Sequence, residues 1–255
     1  MNRFFKTDLQ GNVNAKANEN TIVIDGDEGY HAAKVLRLNI DEKIIVCDGN
    51  GVDYLCRVSE INKNTVVSEF VEKLKNQAEP SVKVTLFQGL TKGDKMDYII
   101  LKAVELGVTK VVPVMTHRCV SKVTPGSKDA EAKVLRWKKI AHEAAKQSGR
   151  GIIPEIGEVV SFKDALQLMK TNEYGFMLYE GCAESKADNK MEDIAKKRYN
   201  TISFMTGPEG GFEISETECA KSIGIDTFTL GKRILRTETA SLCAISVLMY
   251  ITGNC

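Results

Sequence analysis

Two glycine-rich turns carry most of the chemistry legible in this chain. The first is MTGPEGGF (residues 205–212), where three glycines, a proline and the carboxylate of Glu209 lie between an apolar run, TISF, and a helix start. The second lies in TLGKRILRTETASLCAISVLMY (residues 229–250), where Gly231 closes an apolar run and a basic loop leads into a long apolar segment. Neither turn has the spacing GxGxxG, and GxxxxGK[ST] occurs nowhere, so a pyrophosphate or P-loop cradle is not supported and a ligand other than a phosphate is indicated. Pro208 fixes φ and removes a backbone donor, whereas Gly207, Gly210 and Gly211 let backbone approach a ligand or another chain segment closely. A tight turn alone would use the same residues. In the second turn Ile234 and Leu235 are apolar side chains inside a polar loop, and they either tuck into the core or line a slot for a flat ring such as adenine. Thr237 or Thr239 is placed to cap the final helix, with Glu238 favourable in its first turn.

Such turns need strands that end in them and helices that begin after them. The polar stretch KNQAEP (residues 75–80) separates two textures. Before it, from Thr21 to about Lys73, the runs TIVID, KIIVCD, VDYLCRVSEI and TVVSEFVEKL are short and rich in β-branched residues, and DGNG (residues 48–51) is a hairpin signal. One helical interruption, HAAKVLRL, turns Val35 and Leu38 to one face and leaves Lys34 and Arg37 outside. Residues 1–73 are expected to form a small antiparallel barrel. Residues 74–255 alternate strands with helices, the pattern of a parallel α/β sheet. Strands are expected at VKVTLFQGL, KVVPVMT, YGFMLYE, TISFMTG and DTFTLG, and helices over residues 94–106, 129–147, 161–169, 215–222 and from about Thr237. Ser161 with Asp164, and Ser215 with Glu218, fit capping boxes.

Composition narrows the function class. The 255-residue chain is 43% hydrophobic, enough for a sizeable core. Its 35 Lys and Arg nearly balance 34 Asp and Glu, so net charge points to no polyanion. Locally, nine basic side chains (Arg118, Lys122, Lys128, Lys133, Arg136, Lys138, Lys139, Lys146, Arg150) stand against three acidic ones (Asp129, Glu131, Glu143), an excess of six that fits a solvated helix face or a phosphate-binding patch. Seven scattered cysteines with no CxxC argue against a disulfide framework and a zinc site, and most are expected to be small core residues. His31, His117 and His142 share no ligand spacing, so no metal is expected. MNRFFKTDLQ has no apolar leader core, and the longest apolar run, near residues 242–251, is too short to span a bilayer. A cytosolic protein without membrane association is expected.

TGPEGGFEISE followed by LGKRILRTETA resembles the C-terminal signature of the SPOUT, or trefoil-knot, methyltransferases, in particular the bacterial enzymes that methylate N3 of a uridine in small-subunit (16S) ribosomal RNA. RFF (residues 3–5), HAAKVLR (31–37), KGDKMDYIILKAVELGV (92–108), RWKKIAHEAAKQSGR (136–150) and LYEG (178–181) are similar to that family's blocks in the same order. Lys146 departs from the pattern, which has an acid there. The resemblance implies an α/β protein with a PUA-like β-barrel RNA-binding domain over residues 1–73. It further implies a C-terminal parallel-sheet methyltransferase domain over residues 74–255 whose last segments thread into a deep trefoil knot, a feature nearly absent from other folds. S-adenosylmethionine as methyl donor is implied, as are a homodimer through the knotted domain and small-subunit ribosomal RNA or the assembled 30S subunit as partner. The same fold acting on transfer RNA or a ribose 2′-hydroxyl, or serving as a non-catalytic RNA-binding dimer, are the alternatives.

Carried onto this chain, the resemblance places the donor against Leu178, Tyr179 and Glu180, against Thr206, Gly207, Pro208, Glu209 and Gly210, and against Leu230, Gly231, Ile234, Leu235, Arg236 and Thr237. Arg236 is expected beside the uracil carbonyls, offsetting negative charge as the base loses its N3 proton, with Glu238 and Glu209 as candidate proton acceptors. Arg3, His31, Arg37, Lys92, Lys95, Arg118 and Arg150 are the expected RNA contacts.

Overall fold

The computed structural model describes residues 1–6, 9, 20–182 and 187–255. They fall into two compact units, residues 1–79 with 145–153, and residues 80–144 with 154–255.

The first unit contains β1 (Arg3–Phe5), β2 (Thr21–Ile24), α1 (Gly26–Tyr30), a π-helical turn (His31–Val35), β3 (Lys43–Cys47), β4 (Val52–Ile61) and β5 (Val66–Lys75). Its five strands are ordered β1-β3-β4-β5-β2. The β3–β4 connection is the expected hairpin: Asp48 Oδ1 accepts from the backbone N–H of Asn50 at 2.7 Å and of Val52 at 3.1 Å. One pairing departs from the antiparallel expectation. β1 lies parallel to β3, with Phe4 opposite Val46; the long connection between the two strands gives the chain room for the crossover that a parallel pair demands. Phe4, Ile44, Val46, Cys56, Val58 and Val66 have no exposed surface and form the middle of this unit's core.

The expected boundary at residue 73 is moved by the structure. β5 continues to Lys75, the units divide at Glu79 and Pro80, and residues 145–153 join the first unit. Polar contacts account for this: Asn76 Nδ2 donates to the Gly149 carbonyl at 3.0 Å, and the Gly51 N–H donates to the Gly151 carbonyl at 3.1 Å. Lys146, the departure from the family blocks, pairs with Glu28 at 2.9 Å.

Arg3 was expected at an RNA surface, yet its side chain is only 13% exposed and makes a bidentate pair with Asp53, Nη1 to Oδ1 at 2.6 Å and Nη2 to Oδ2 at 2.7 Å. Burial works to raise the Asp53 carboxyl, but Arg3 and Asn76 outweigh it and hold the group below its ordinary value of 3.8. A carboxyl depressed in the folded state contributes stability that is complete above its unfolded value and is lost as pH falls through its folded one. Asp53→Asn is therefore expected to show a flatter dependence of urea midpoint on pH below about 4 than the wild type. Equal slopes would remove this pair from the acid sensitivity.

The second unit holds β6 (Lys83–Gly89), α2 (Lys95–Glu105), β7 (Lys110–Met115), most of α3 (Lys128–Gln147), β8 (Glu155–Ile156), β9 (Val160–Ser161), α4 (Phe162–Met169), β10 (Tyr174–Leu178), α5 (Ala187–Lys197), β11 (Thr201–Thr206), α6 (Ile214–Ser222), β12 (Asp226–Phe228) and α7 (Thr237–Ile251). Every pairing in its sheet is parallel, in the order β12-β10-β11-β6-β7-β8, with β9 beside β7. Strands of this kind are covered on both faces, which is why β6 reads as an unbroken run with six of its seven residues buried. From β12 at one edge the chain returns to pack α7 against α2, β6 and β11, the course that the expected knot requires.

Ser161 caps α4 as expected, accepting from the Asp164 N–H at 3.2 Å. The cap of α6 is not Ser215 but Glu213, in a reciprocal box with Glu216 whose carboxylate accepts from the Glu213 N–H at 2.9 Å. At α7 the cap position is Arg236, one residue ahead of the expected threonine. α5 carried no expectation. Cys47, Cys56 and Cys119 are buried as expected, whereas Cys219 and Cys255 are exposed.

Candidate functional site

Parallel register sets the site. Leu178 at the end of β10 is paired with both Thr206 at the end of β11 and Phe228 at the end of β12, and Thr206 is paired in turn with Gln88 near the end of β6. Four strand ends thus finish at one level, and the loops that leave three of them converge beyond the carboxyl edge of the sheet, where open α/β sheets bind ligands. They enclose a pocket of about 350 Å³ lined by Leu178, Tyr179 and Glu180, by residues 206–212, by Thr229 and Leu230, and by residues 233–238 with Lys95 and Ala240. A volume of this size suits a small molecule.

All the expected donor residues line this pocket except Gly231, and of the catalytic candidates Arg236, Glu238 and Glu209 all do. Gly211, read as permitting close approach, lines it too, and Arg233, Phe212, Thr229 and Ala240 line it without having been expected there. Arg233 had a signal, since it belongs to the same basic loop as Arg236.

Glycine is required where segments crowd. A Cβ on Gly89 would stand 2.6 Å from both the nitrogen and Cδ of Pro208, so the end of β6 runs directly against the Gly207–Pro208 peptide. At Gly211 φ is +65° and a Cβ would come within 2.8 Å of Glu180 Oε1, which joins the first loop to the second. Around this cradle the apolar walls are uneven. Leu178 is buried, whereas Ile234 is 84% exposed and does not tuck into the core.

The charged groups divide into those already engaged and those free. Glu209 accepts from the Lys92 N–H and from Lys95 Nζ, each at 3.1 Å. Burial works to raise its carboxyl, but its own N–H, that of Lys92 and the Lys95 ammonium outweigh burial and hold it below the usual carboxylate range, a poor proton acceptor. Arg118 is drawn to the loop as well. Its Nε donates to Glu213 Oε1 at 2.8 Å and its Nη1 to the Gly210 carbonyl at 3.1 Å, so it clips the glycine turn to the start of α6. Among the described residues, by contrast, the Arg236 guanidinium makes no hydrogen bond or ion pair, and neither does that of Arg233.

Two buried oxygens in the pocket wall, Thr206 Oγ1 and Glu238 Oε2, have no hydrogen-bond partner among the described residues. Buried polar atoms left open in this way point to a ligand that satisfies them. A glycine cradle, an apolar wall at Leu178 and Leu235, and unsatisfied acceptors fit S-adenosylmethionine, which presents a flat adenine, hydroxyls and an ammonium group.

The expected RNA contacts are divided between the two units. Arg3, His31, Arg37 and Arg150 belong to the first unit and Lys92, Lys95 and Arg118 to the second. Arg37 is exposed, with φ at +53°, and His31 is half-buried in the π-helical turn. Arg150 is corrected: its side chain is 2% exposed and bonds Glu79 at 2.7 Å, because a cation can be buried only against a partner. Within the basic strip, Lys133 pairs with Asp129 at 2.7 Å and Arg136 with Asp97.

Known proteins match the whole chain. The model of an RNA methyltransferase domain covers residues 78–249, and that of an RNA methyltransferase PUA domain covers residues 24–71. The chain is 35% identical over 234 residues to the ribosomal RNA small subunit methyltransferase E of Bacillus subtilis, spanning 91% of each chain. With the Aquifex aeolicus protein of the same name it shares 32% over 250 residues, 98% of this chain and 99% of the other. Its structure is similar to the crystal structure of the Neisseria gonorrhoeae ribosomal RNA small subunit methyltransferase E bound to S-adenosyl methionine, with a TM-score of 0.81, 30% identity and 98% of both chains covered.

Proposed function

This chain belongs to the RNA methyltransferase family, and we propose that it is an S-adenosylmethionine-dependent enzyme that methylates N3 of one uridine in small-subunit ribosomal RNA. The observation that carries this reading is the pocket at the carboxyl edge of the parallel sheet, where three loops, a free Arg236 and an unpartnered Glu238 oxygen meet.

When bound, S-adenosylmethionine supplies an electrophilic methyl group on a sulfonium. What the chain must do is hold the acceptor in line and make it nucleophilic. Neutral uracil carries a proton on N3, on its pairing edge, so the base must leave any duplex before it reacts. Among the described residues Glu238 Oε2 has no partner to occupy its lone pairs, and it takes the proton; Glu209, already engaged by Lys95 and Lys92, does not. Arg236 faces the carbonyl oxygens on which the negative charge then spreads. Lys95 and Arg118 act mainly by holding the 206–213 segment in shape.

The first unit docks the RNA, with exposed Arg37 as its candidate phosphate contact. A second copy of the chain packs on the exposed face of α7, where Tyr250 is 76% exposed, and the C-terminal segment threads as a trefoil knot. No helix of the described residues is long and apolar enough to cross a membrane. The proposed substrate puts the enzyme's work in the cytoplasm, on the 30S subunit or its RNA.

Digestion and mass spectrometry of small-subunit ribosomal RNA from cells lacking this protein, before and after incubating their subunits with the purified protein and S-adenosylmethionine, tests the assignment. Restoration of 3-methyluridine at one position is the expected result. No change in any ribosomal methyl mark, with the methyl donor still bound, would overturn the ribosomal substrate and turn attention to transfer RNA. A protein that does not bind the donor would be the non-catalytic RNA-binding dimer.

A further inference from the structure

Beneath the pocket floor lies a chain of buried hydrogen bonds that the methyl-transfer chemistry does not use. Gln88 has no exposed surface, nor has Ser241, and Thr237 is 7% exposed. The Ser241 hydroxyl donates to Gln88 Oε1 at 2.6 Å. Gln88 Nε2 donates to the Gly89 carbonyl and to Thr237 Oγ1, each at 3.0 Å. The Thr237 hydroxyl in turn donates to the Gly207 carbonyl at 2.6 Å.

The direction of this relay is set by its ends. Carbonyl oxygens only accept, so the single proton of Thr237 is committed to Gly207 and its oxygen must accept from Gln88. The amide is held this way round because its oxygen, if turned, would face the Gly89 carbonyl, which can only accept; the Ser241 hydroxyl also lies 3.0 Å from the Thr237 carbonyl. One side chain on β6 thereby joins the last turn of its own strand, the glycine turn after β11 and the first turn of α7. The latter two are the signature segments, which are about thirty residues apart in sequence and both line the pocket.

We propose that Gln88 is a positioning residue for the methyl-donor site: through the Thr237 hydroxyl it fixes the direction of the Gly207 carbonyl, and with it the shape of the 206–210 turn that cradles the donor. The inference rests on the pocket being the S-adenosylmethionine site. A buried relay suits this task because hydrogen bonds fix the direction of the groups they join, whereas apolar packing would let the turn settle in several positions.

The test compares the full-length wild type with Gln88→Met, Thr237→Val, the double variant and Thr237→Ser. Donor affinity is read by calorimetry, and backbone amide exchange without ligand is read over the 206–212 turn and the first turn of α7. Gln88→Met and Thr237→Val are each expected to weaken S-adenosylmethionine binding about tenfold, the change that corresponds to ~1.4 kcal/mol. The double variant is expected to bind no more weakly than the worse single one, since both break the same relay. Exchange rises in the two turns while β7 and β10 stay protected, and Thr237→Ser, which keeps the hydroxyl, exchanges as the wild type does. Wild-type affinity and wild-type loop exchange in folded Gln88→Met and Thr237→Val would overturn the proposal, as would additive losses in the double variant. If Gln88→Met does not fold, Thr237→Val carries the comparison, being isosteric and lacking only the hydroxyl. A wild type that takes up no donor removes the donor reading, and the exchange pattern alone then decides whether the relay orders the turn.

Discussion

Replacing Arg150 by alanine is expected to destabilise the first unit by ~3–5 kcal/mol, the cost of leaving one member of a buried ion pair alone. The guanidinium is held as a fork, Nε to Glu79 Oε1 at 3.2 Å and Nη2 to Oε2 at 2.7 Å, with the side chain 2% exposed. Glu79 is also the hub of the turn that follows, accepting the Gly151 N–H at 2.9 Å and the Ile152 N–H at 3.1 Å. The alanine variant removes the charge that compensates this carboxylate and opens space beside it, so the urea midpoint falls sharply. The double variant Arg150→Met with Glu79→Gln removes both charges and keeps most of the volume, and it is expected to recover much of the loss. A surface RNA contact behaves in the opposite way: Arg150→Ala would then keep its urea midpoint and bind RNA more weakly, with a shallower salt dependence. Urea titration of the three proteins separates the two, and an unchanged midpoint in Arg150→Ala would refute the structural role.

That outcome marks where a linear reading stops. The parallel sheet was legible because β6, β7, β10 and β11 are largely apolar, and the ends of β6, β10 and β11 were legible because a glycine closes or soon follows each. The pocket could be assembled from those ends, since register in a parallel sheet brings them to one level. Charged side chains were not placed so well. Arg150 and Arg3 read as surface cations until their partners, Glu79 and Asp53, are found 71 and 50 residues away in the chain. No local pattern announces such a pair, because burial of a charge is decided by what the fold delivers to it. Gln88 was invisible for a related reason: a polar residue inside an apolar strand looks like a flaw until its three partners arrive from α7 and its own strand end. At α6, Ser215 matched the capping pattern, yet Glu213 and Glu216 form the box two residues earlier and leave Ser215 inside the helix.

Arg236→Ala is expected to lower turnover at saturating RNA and donor by about 10²–10³-fold, while the dissociation constant for S-adenosylmethionine stays within about threefold. The reasoning begins from the contrast inside the pocket. Lys95 and Arg118 have their charges committed to Glu209 and Glu213, at 3.1 and 2.8 Å, whereas the guanidinium of Arg236 is without a protein partner among the described residues. A free cation in the pocket wall has little to stabilise in the ground state, where the uracil base is neutral. Its effect appears when N3 gives up its proton and negative charge spreads to the carbonyl oxygens, which makes it a transition-state interaction and places the loss in turnover. Arg236→Lys keeps the charge but not the planar fork, so it falls between the two. Arg233 supplies the internal control, since it lines the same pocket and is equally free. Arg233→Ala is expected to weaken RNA binding with turnover kept. If instead Arg233→Ala loses turnover and Arg236→Ala does not, the charge partner of the uracil is Arg233. A fall in donor affinity parallel to the fall in turnover would show Arg236 to be part of the donor wall alone.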